Sequence, residues 1–151
     1  MVAITDDRIS AFKESEFIAS LKRGDAYGTT GPMISLSLSG TKMGDTFQGA
    51  KAELNVSIQN ADWIHVDTVY IQVNGESISE YPLTNAPIDN VISHQFNIPM
   101  TFTKDSFVTI EVKGQATDDY ATTYPEISPY AFSNPIYVDF DSDGTWQAPG
   151  L

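Results

Sequence analysis

The chain has 151 residues, 41% hydrophobic and 19% charged, which suits one packed domain that needs no covalent staples. Its 20 acidic and 8 basic residues give a formal charge of −12, which repels phosphate backbones and anionic headgroups and so argues against nucleic-acid and membrane partners. There are no cysteines, so disulfides and thiolate metal sites are excluded, and no apolar run approaches the roughly 20 residues of a membrane helix.

The opening Met1-Val2-Ala3-Ile4, followed by Thr5-Asp6-Asp7-Arg8, lacks the basic-then-apolar order of a signal peptide. From Thr5 to Arg23 the pattern is a loop and then a helix. Phe17, Ile18 and Leu21 fall on one helical face, with Ile9 and Phe12 adding apolar surface upstream. Ser15 is the expected N-cap, Lys22 and Arg23 suit the negative end of the helix dipole, and Gly24 suits the position just beyond. So short a helix is marginal alone, so its apolar face is expected to fold back onto the domain that follows or to meet a partner surface. Gly24 to Pro32 then packs three of the ten glycines into nine residues and reads as a hinge.

After Pro32 the period changes to two. Ile34, Leu36 and Leu38 alternate with serines; Leu54, Val56 and Ile58 alternate with polar residues; so do Val69, Ile71 and Val73. Asn74-Gly75 supplies the positive φ pair of a tight hairpin, with a return strand over Glu76 to Pro82. Phe96, Ile98, Met100 and Phe102 form another series, and Pro99 within it marks an edge strand or a bulge. Val108, Ile110 and Val112, then Ile136, Val138 and Phe140, complete seven expected strands. Alternation this strict means one wet face and one buried face. Seven short strands, one short N-terminal helix and no second helix predict a mainly β chain: an immunoglobulin-like antiparallel β-sandwich. Asp118 to Asn134, rich in Tyr and Pro and without alternation, reads as a long ordered loop.

Few constellations carry chemistry. His65 and His94 stand alone, and Trp63, His65 and Asp67 share a face only if a strand begins that early. No serine lies in a Gly-x-Ser-x-Gly elbow, and the acid pairs Asp6-Asp7 and Asp118-Asp119 read as solvated loop residues. The glycines of the hinge lack the Gly-Lys-Ser/Thr ending of a phosphate loop. Asp139, Asp141 and Asp143, with Gly144, match the first half of an EF-hand loop, so calcium is the candidate cofactor; the closing glutamate position falls on Gly150, and the other reading is a charged turn at a strand end. Tyr120, Tyr124, Tyr130 and Trp146 are candidate ligand-binding rings for a carbohydrate, against a reading in which they close one end of the core.

The order of these signals resembles the C-terminal end of bacterial PHP-domain proteins of the CehA/McbA-like metallohydrolase group. Phe17-Ile18-Ala19-Ser20-Leu21-Lys22-Arg23-Gly24 is similar to that group's last helix and its glycine turn, and Tyr27-Gly28-Thr29-Thr30-Gly31-Pro32 to its Thr-Asn-Gly-Pro turn, with Thr30 in place of Asn. Gly40 to Thr46, Val69 to Gly75, and Asn134-Pro135-Ile136-Tyr137-Val138-Asp139 followed by Asp141 to Gly144 resemble its later turns and terminal strand. The resemblance implies a parent metal-dependent hydrolase, often of phosphoesters, whose metal ligands lie upstream of the helix. No position here matches a His-x-His motif, so no catalytic residue carries over. It also implies three segments: residues 1–31 as helix and hinge left from an upstream catalytic domain, with Ala26 to Thr30 as that domain's last strand; 32–140 as the sandwich; and 141–151 as an acidic turn and tail. The expected role is a noncatalytic accessory domain whose partner is the catalytic domain of the same polypeptide; the alternatives are a carbohydrate-binding module and a calcium-stiffened structural or adhesion module.

Overall fold

The computed structural model describes residues 1–2 and 8–149. The Asp6-Asp7 pair and Gly150 lie outside the described residues. A single 3-10 turn, Ile9–Ala11, precedes helix α1, Glu14–Arg23. Strands β1 (Tyr27–Thr29), β2 (Met33–Leu38), β3 (Thr41–Lys42), β4 (Thr46–Gln48) and β5 (Lys51–Ala61) follow. After them come β6 (Thr68–Val73), β7 (Glu76–Pro82), β8 (Val91–Thr101) and β9 (Ser106–Lys113). Helix α2 (Asp118–Thr123), β10 (Tyr130–Ser133) and β11 (Ile136–Asp139) close the chain.

The strands form two sheets. The smaller runs β3-β2-β5-β8, antiparallel throughout. In the larger, β9 is central. β6 and then β7 lie on one side of it, and β10 and β11 follow each other along its other side. Beyond them, β1 pairs antiparallel with β10 and β4 pairs parallel with β11. The chain crosses between sheets from β1 to β2, β3 to β4, β4 to β5, β5 to β6, β7 to β8 and β8 to β9, which is the alternation of an immunoglobulin-like sandwich. One core fills the space between the sheets. Ile34, Leu36 and Leu38 of β2 and Leu54, Val56 and Ile58 of β5 face Val69, Ile71, Val108, Ile110, Val112, Ile136 and Val138 of the larger sheet, and all are buried. These are the apolar members of the alternating runs, so burial of one face explains the pattern.

Each of the seven expected strands is present. Asn74 (φ 56°) and Gly75 (φ 83°) form the β6–β7 hairpin, with Val73 opposite Glu76. Pro99 sits on β8 at the edge of the smaller sheet, opposite Glu53 and without a register shift, so the edge and not a bulge accommodates it. The shift falls instead at Ile71/Gln72, where β6 meets β7.

The structure corrects three expectations and narrows a fourth. The N-cap of α1 is Lys13, not Ser15, and no side chain caps it; the Lys13 carbonyl already accepts from the Glu16 and Phe17 amides at 3.1 Å, which places Ser15 inside the first turn. A second helix exists, α2, capped by the Thr117 hydroxyl accepting from the Tyr120 amide at 3.2 Å. The stretch from Asp118 to Asn134 is therefore not one loop, since β10 also lies in it. Its alternation is inverted: Ala131 and Ser133 point inward while the rings of Tyr130 and Phe132 point out. Of the two outcomes expected for the apolar face of α1, folding back onto the sandwich does not occur. Phe17 is half-buried and its ring meets Phe12 at 5.9 Å, but Ile18 and Leu21 stay 40% and 52% exposed.

The hinge is pinned to the larger sheet. Tyr27–Thr29 is a strand of that sheet, with Gly28 opposite Phe132. Asn134 donates from Nδ2 to the Gly24 carbonyl at 3.1 Å, and the Gly44 amide donates to the Pro135 carbonyl at 2.8 Å. Gly44 (φ 83°) lies so close to the end of α1 that a Cβ there would stand 1.8 Å from the Arg23 carbonyl oxygen. Only glycine fits both the angle and the gap.

Candidate functional site

At the end of the sandwich where β11 and β4 stop and the β8–β9 connection turns, three carboxylates converge. Asp105, Asp139 and Asp141 each offer an oxygen, all within 4.8 Å of one another. Asp105 comes from the connection between β8 and β9, Asp139 is the last residue of β11, and Asp141 stands in the turn that follows. Asp139 is 1% exposed, Asp105 half-buried and Asp141 exposed.

The local backbone explains why the group holds its shape. Asp105 Oδ1 accepts from the Phe140 amide at 3.0 Å and its Oδ2 from the Gln147 amide at 2.6 Å, which tie the turn after β11 to the β8–β9 connection. Asp139 Oδ2 accepts from the Gly144 amide at 2.9 Å and from Gln48 Nε2 at 3.3 Å. Its carbonyl accepts from the Gly49 amide at 2.9 Å. Asp139 Oδ1, fully buried, has no hydrogen-bond partner. Trp146 closes the flank: its Nε1 donates to the Ser106 carbonyl at 2.8 Å and its ring meets Tyr137 edge-on at 4.7 Å.

The expected triple of Asp139, Asp141 and Asp143 is therefore corrected. Asp143 turns its Oδ1 to the Thr145 amide at 2.7 Å and does not join the cluster. Its place is taken by Asp105, which lies 34 residues upstream of Asp139 in the chain. The sequence signal that could have found it is slight: Thr103-Lys104-Asp105, a polar break between two alternating runs.

The four candidate rings do not share one surface. Tyr120 is fully buried, with its hydroxyl donating to the Thr30 carbonyl at 2.8 Å, so it shows no face to a sugar. It stacks on Tyr124 (5.2 Å) and Trp63 (6.0 Å) and plugs the end of the core beside Gly31. Tyr130 pairs with Phe132 at 5.8 Å on the outer face of the larger sheet. Trp146 binds Ser106 while Tyr130 lies opposite Lys113, so they sit at opposite ends of β9, about 24 Å apart along the strand.

Around Tyr130 the outer face carries a polar chain. Its hydroxyl donates to Glu111 Oε1, and Lys113 Nζ lies 2.8 Å from Glu111 Oε2 and 5.0 Å from the Tyr70 ring centre. Burial and then the Glu111 hydrogen bond push the Tyr130 hydroxyl up to about 12. Burial alone would raise Glu111, but hydrogen bonds from Lys113 and Tyr130 outweigh it and hold the carboxyl below its ordinary range. Lys113 is held above its ordinary value chiefly by the same hydrogen bond. These groups satisfy one another and leave no free base.

The histidines stay apart. β6 begins at Thr68, so Trp63, His65 and Asp67 do not share a strand face; Trp63 and His65 instead line a shallow recess with Asp62, Thr117 and Asp119. His94 lies on β8, stacked on Phe96, and burial lowers its pKa from the ordinary value. No protein family, curated protein or solved structure matches the chain.

Proposed function

We propose that this chain is a noncatalytic accessory domain that packs through α1 against a catalytic domain of the same polypeptide, a PHP-type metal-dependent hydrolase. The observation that carries the reading is the uncovered apolar face at the N-terminal side of the sandwich. Ile9 is 96% exposed, Phe12 53% and Leu21 52%, while the one fully buried residue of α1 is Ser20. A helix that keeps its apolar residues off its own core has its cover elsewhere. The hinge contacts at Gly24, Gly44 and Asn134 fix the direction in which that face is presented. The ordered motifs that resemble the end of the PHP group supply the identity of the partner.

The donor set supports a noncatalytic role. The two histidines sit on separate elements, and among the described residues the convergent group is made of three carboxylates. The test is binding in trans. The chain, immobilised, should retain a purified PHP-type catalytic domain, and Ile18→Glu with Leu21→Glu should abolish retention without lowering the melting temperature. Equal retention by the double variant removes the docking face. Metal-dependent hydrolysis of p-nitrophenyl phosphate by this chain alone removes the noncatalytic role.

A further inference from the structure

We propose that Asp105, Asp139 and Asp141 bind one Ca²⁺ ion. Two independent observations carry this. The first is convergence: three carboxylates from three separate stretches of chain place oxygens within 4.8 Å of one another, inside the span of about 5 Å that two oxygens on one Ca²⁺ can have. The second is the buried oxygen. Asp139 Oδ1 has no hydrogen-bond donor in a residue only 1% exposed, on one of the three carboxylates of the group. A buried acceptor without a donor is costly, and a cation supplies what the protein does not.

The chemistry selects the ion. The donors are carboxylate oxygens, with no imidazole in the group, so a hard cation is favoured over a transition metal. The Arg23–Asp25 and Lys113–Glu111 ion pairs lie elsewhere in the fold, and neither reaches the three carboxylates of the cluster. The donors come from a strand end, a turn and an interstrand connection, an irregular set that Ca²⁺ accepts and that the small, strictly octahedral Mg²⁺ does not. Asp141 is exposed, so water completes the shell from its side. The site differs from an EF-hand loop: it joins residues 34 apart in the chain, and Asp143 stays outside it.

Calorimetric titration of the intact chain with CaCl₂, beside melting curves in CaCl₂, MgCl₂ and EDTA, tests the proposal. One Ca²⁺ per chain is expected, with a Kd of about 10⁻⁴ M, and a melting temperature that CaCl₂ raises and MgCl₂ does not. Asp141→Asn, at an exposed position that leaves the core intact, should weaken Ca²⁺ at least about tenfold, and Asp105→Asn likewise. Asp143→Asn should bind as the parent does. No heat at millimolar Ca²⁺ overturns the site. So does Asp141→Asn binding with undiminished affinity, and so does an equal loss in Asp143→Asn, which would return the ion to a local turn. An equal response to MgCl₂ overturns the choice of ion.

Discussion

Ser133→Ala probes the point where the larger sheet is joined. β10 and β11 run along the same side of β9 but out of step: Phe132 lies opposite Glu111 and Ile136 opposite Val108, four steps along one chain against three along the other. At that break the Ser133 hydroxyl accepts from the Ile110 amide at 2.9 Å, with Ile110 1% exposed and Ser133 5%. Alanine would leave a buried amide without its acceptor, at a cost of about 1–3 kcal/mol. A central value of about 2 kcal/mol lowers the melting temperature of a domain this size by about 4–8 °C. In urea it moves the midpoint by about 1 M, for a slope of about 2 kcal/mol/M that should itself stay unchanged. Tryptophan fluorescence follows the transition, and exposed Ser77→Ala serves as the control. A loss below about 0.5 kcal/mol, the range of surface changes, would show that the hydroxyl does not hold the break together.

Further outcomes follow from the same geometry. Gly44→Ala should destabilise at least twice as much as Gly40→Ala, because both carry positive φ, worth about 1–2 kcal/mol, but only Gly44 faces a carbonyl at 1.8 Å; equal losses in urea would refute the close approach. His94 has a pKa lowered by burial, so its contribution to stability is full above the ordinary 6.5 and is lost as pH falls below it towards the folded value. Stability of His94→Leu relative to the parent should therefore rise on acidification from pH 7, and a difference that stays flat with pH counts against it. Tyr130 is raised to about 12, so its contribution holds below the ordinary 10.0 and disappears as pH climbs through that window. Tyrosinate absorbance should show a step near 12 that Tyr130→Phe removes; a step lost near 10 instead would contradict the Glu111 hydrogen bond.

The sandwich was legible because its core strands obey one rule, apolar in and polar out, over runs of five residues or more. β10 broke that rule. Its inward residues are Ala131 and Ser133, one small and one polar, while its large rings face solvent, so hydrophobicity read along the chain points the wrong way. α2 was missed for a related reason: six residues with Tyr120 as the one buried member carry no period. The acid site was half legible. Asp139 and Asp141 announce themselves as neighbours in a turn, but Asp105 joins them only through tertiary structure, when β9 is laid beside β11. Asp143 looked equivalent in sequence because alternation along a chain says nothing about which way a turn points its side chains.

One short pair of strands connects the two proposals. β4 and β11 pair in parallel over three positions, Thr46 to Gln48 against Tyr137 to Asp139. At one end of this pair Gly44 seats the close of α1 and bonds to Pro135; at the other, Asp139 accepts from Gly49 and Gln48 and enters the acid cluster. A three-residue parallel pairing is a weak ladder, and the strand carrying it ends on a buried carboxylate beside two more. Backbone amides of Phe140, Gly144 and Gln147 hold two of these carboxylates in place, and a cation would offset the charge they concentrate there. Under the calcium proposal the ion would act on the β4–β11 seam, and the hinge that presents the helix is anchored on the same seam, about 13 Å away along the strands. Under the two proposals together, a bound ion that stiffens this seam would bias how the exposed face of α1 is offered to the proposed catalytic domain.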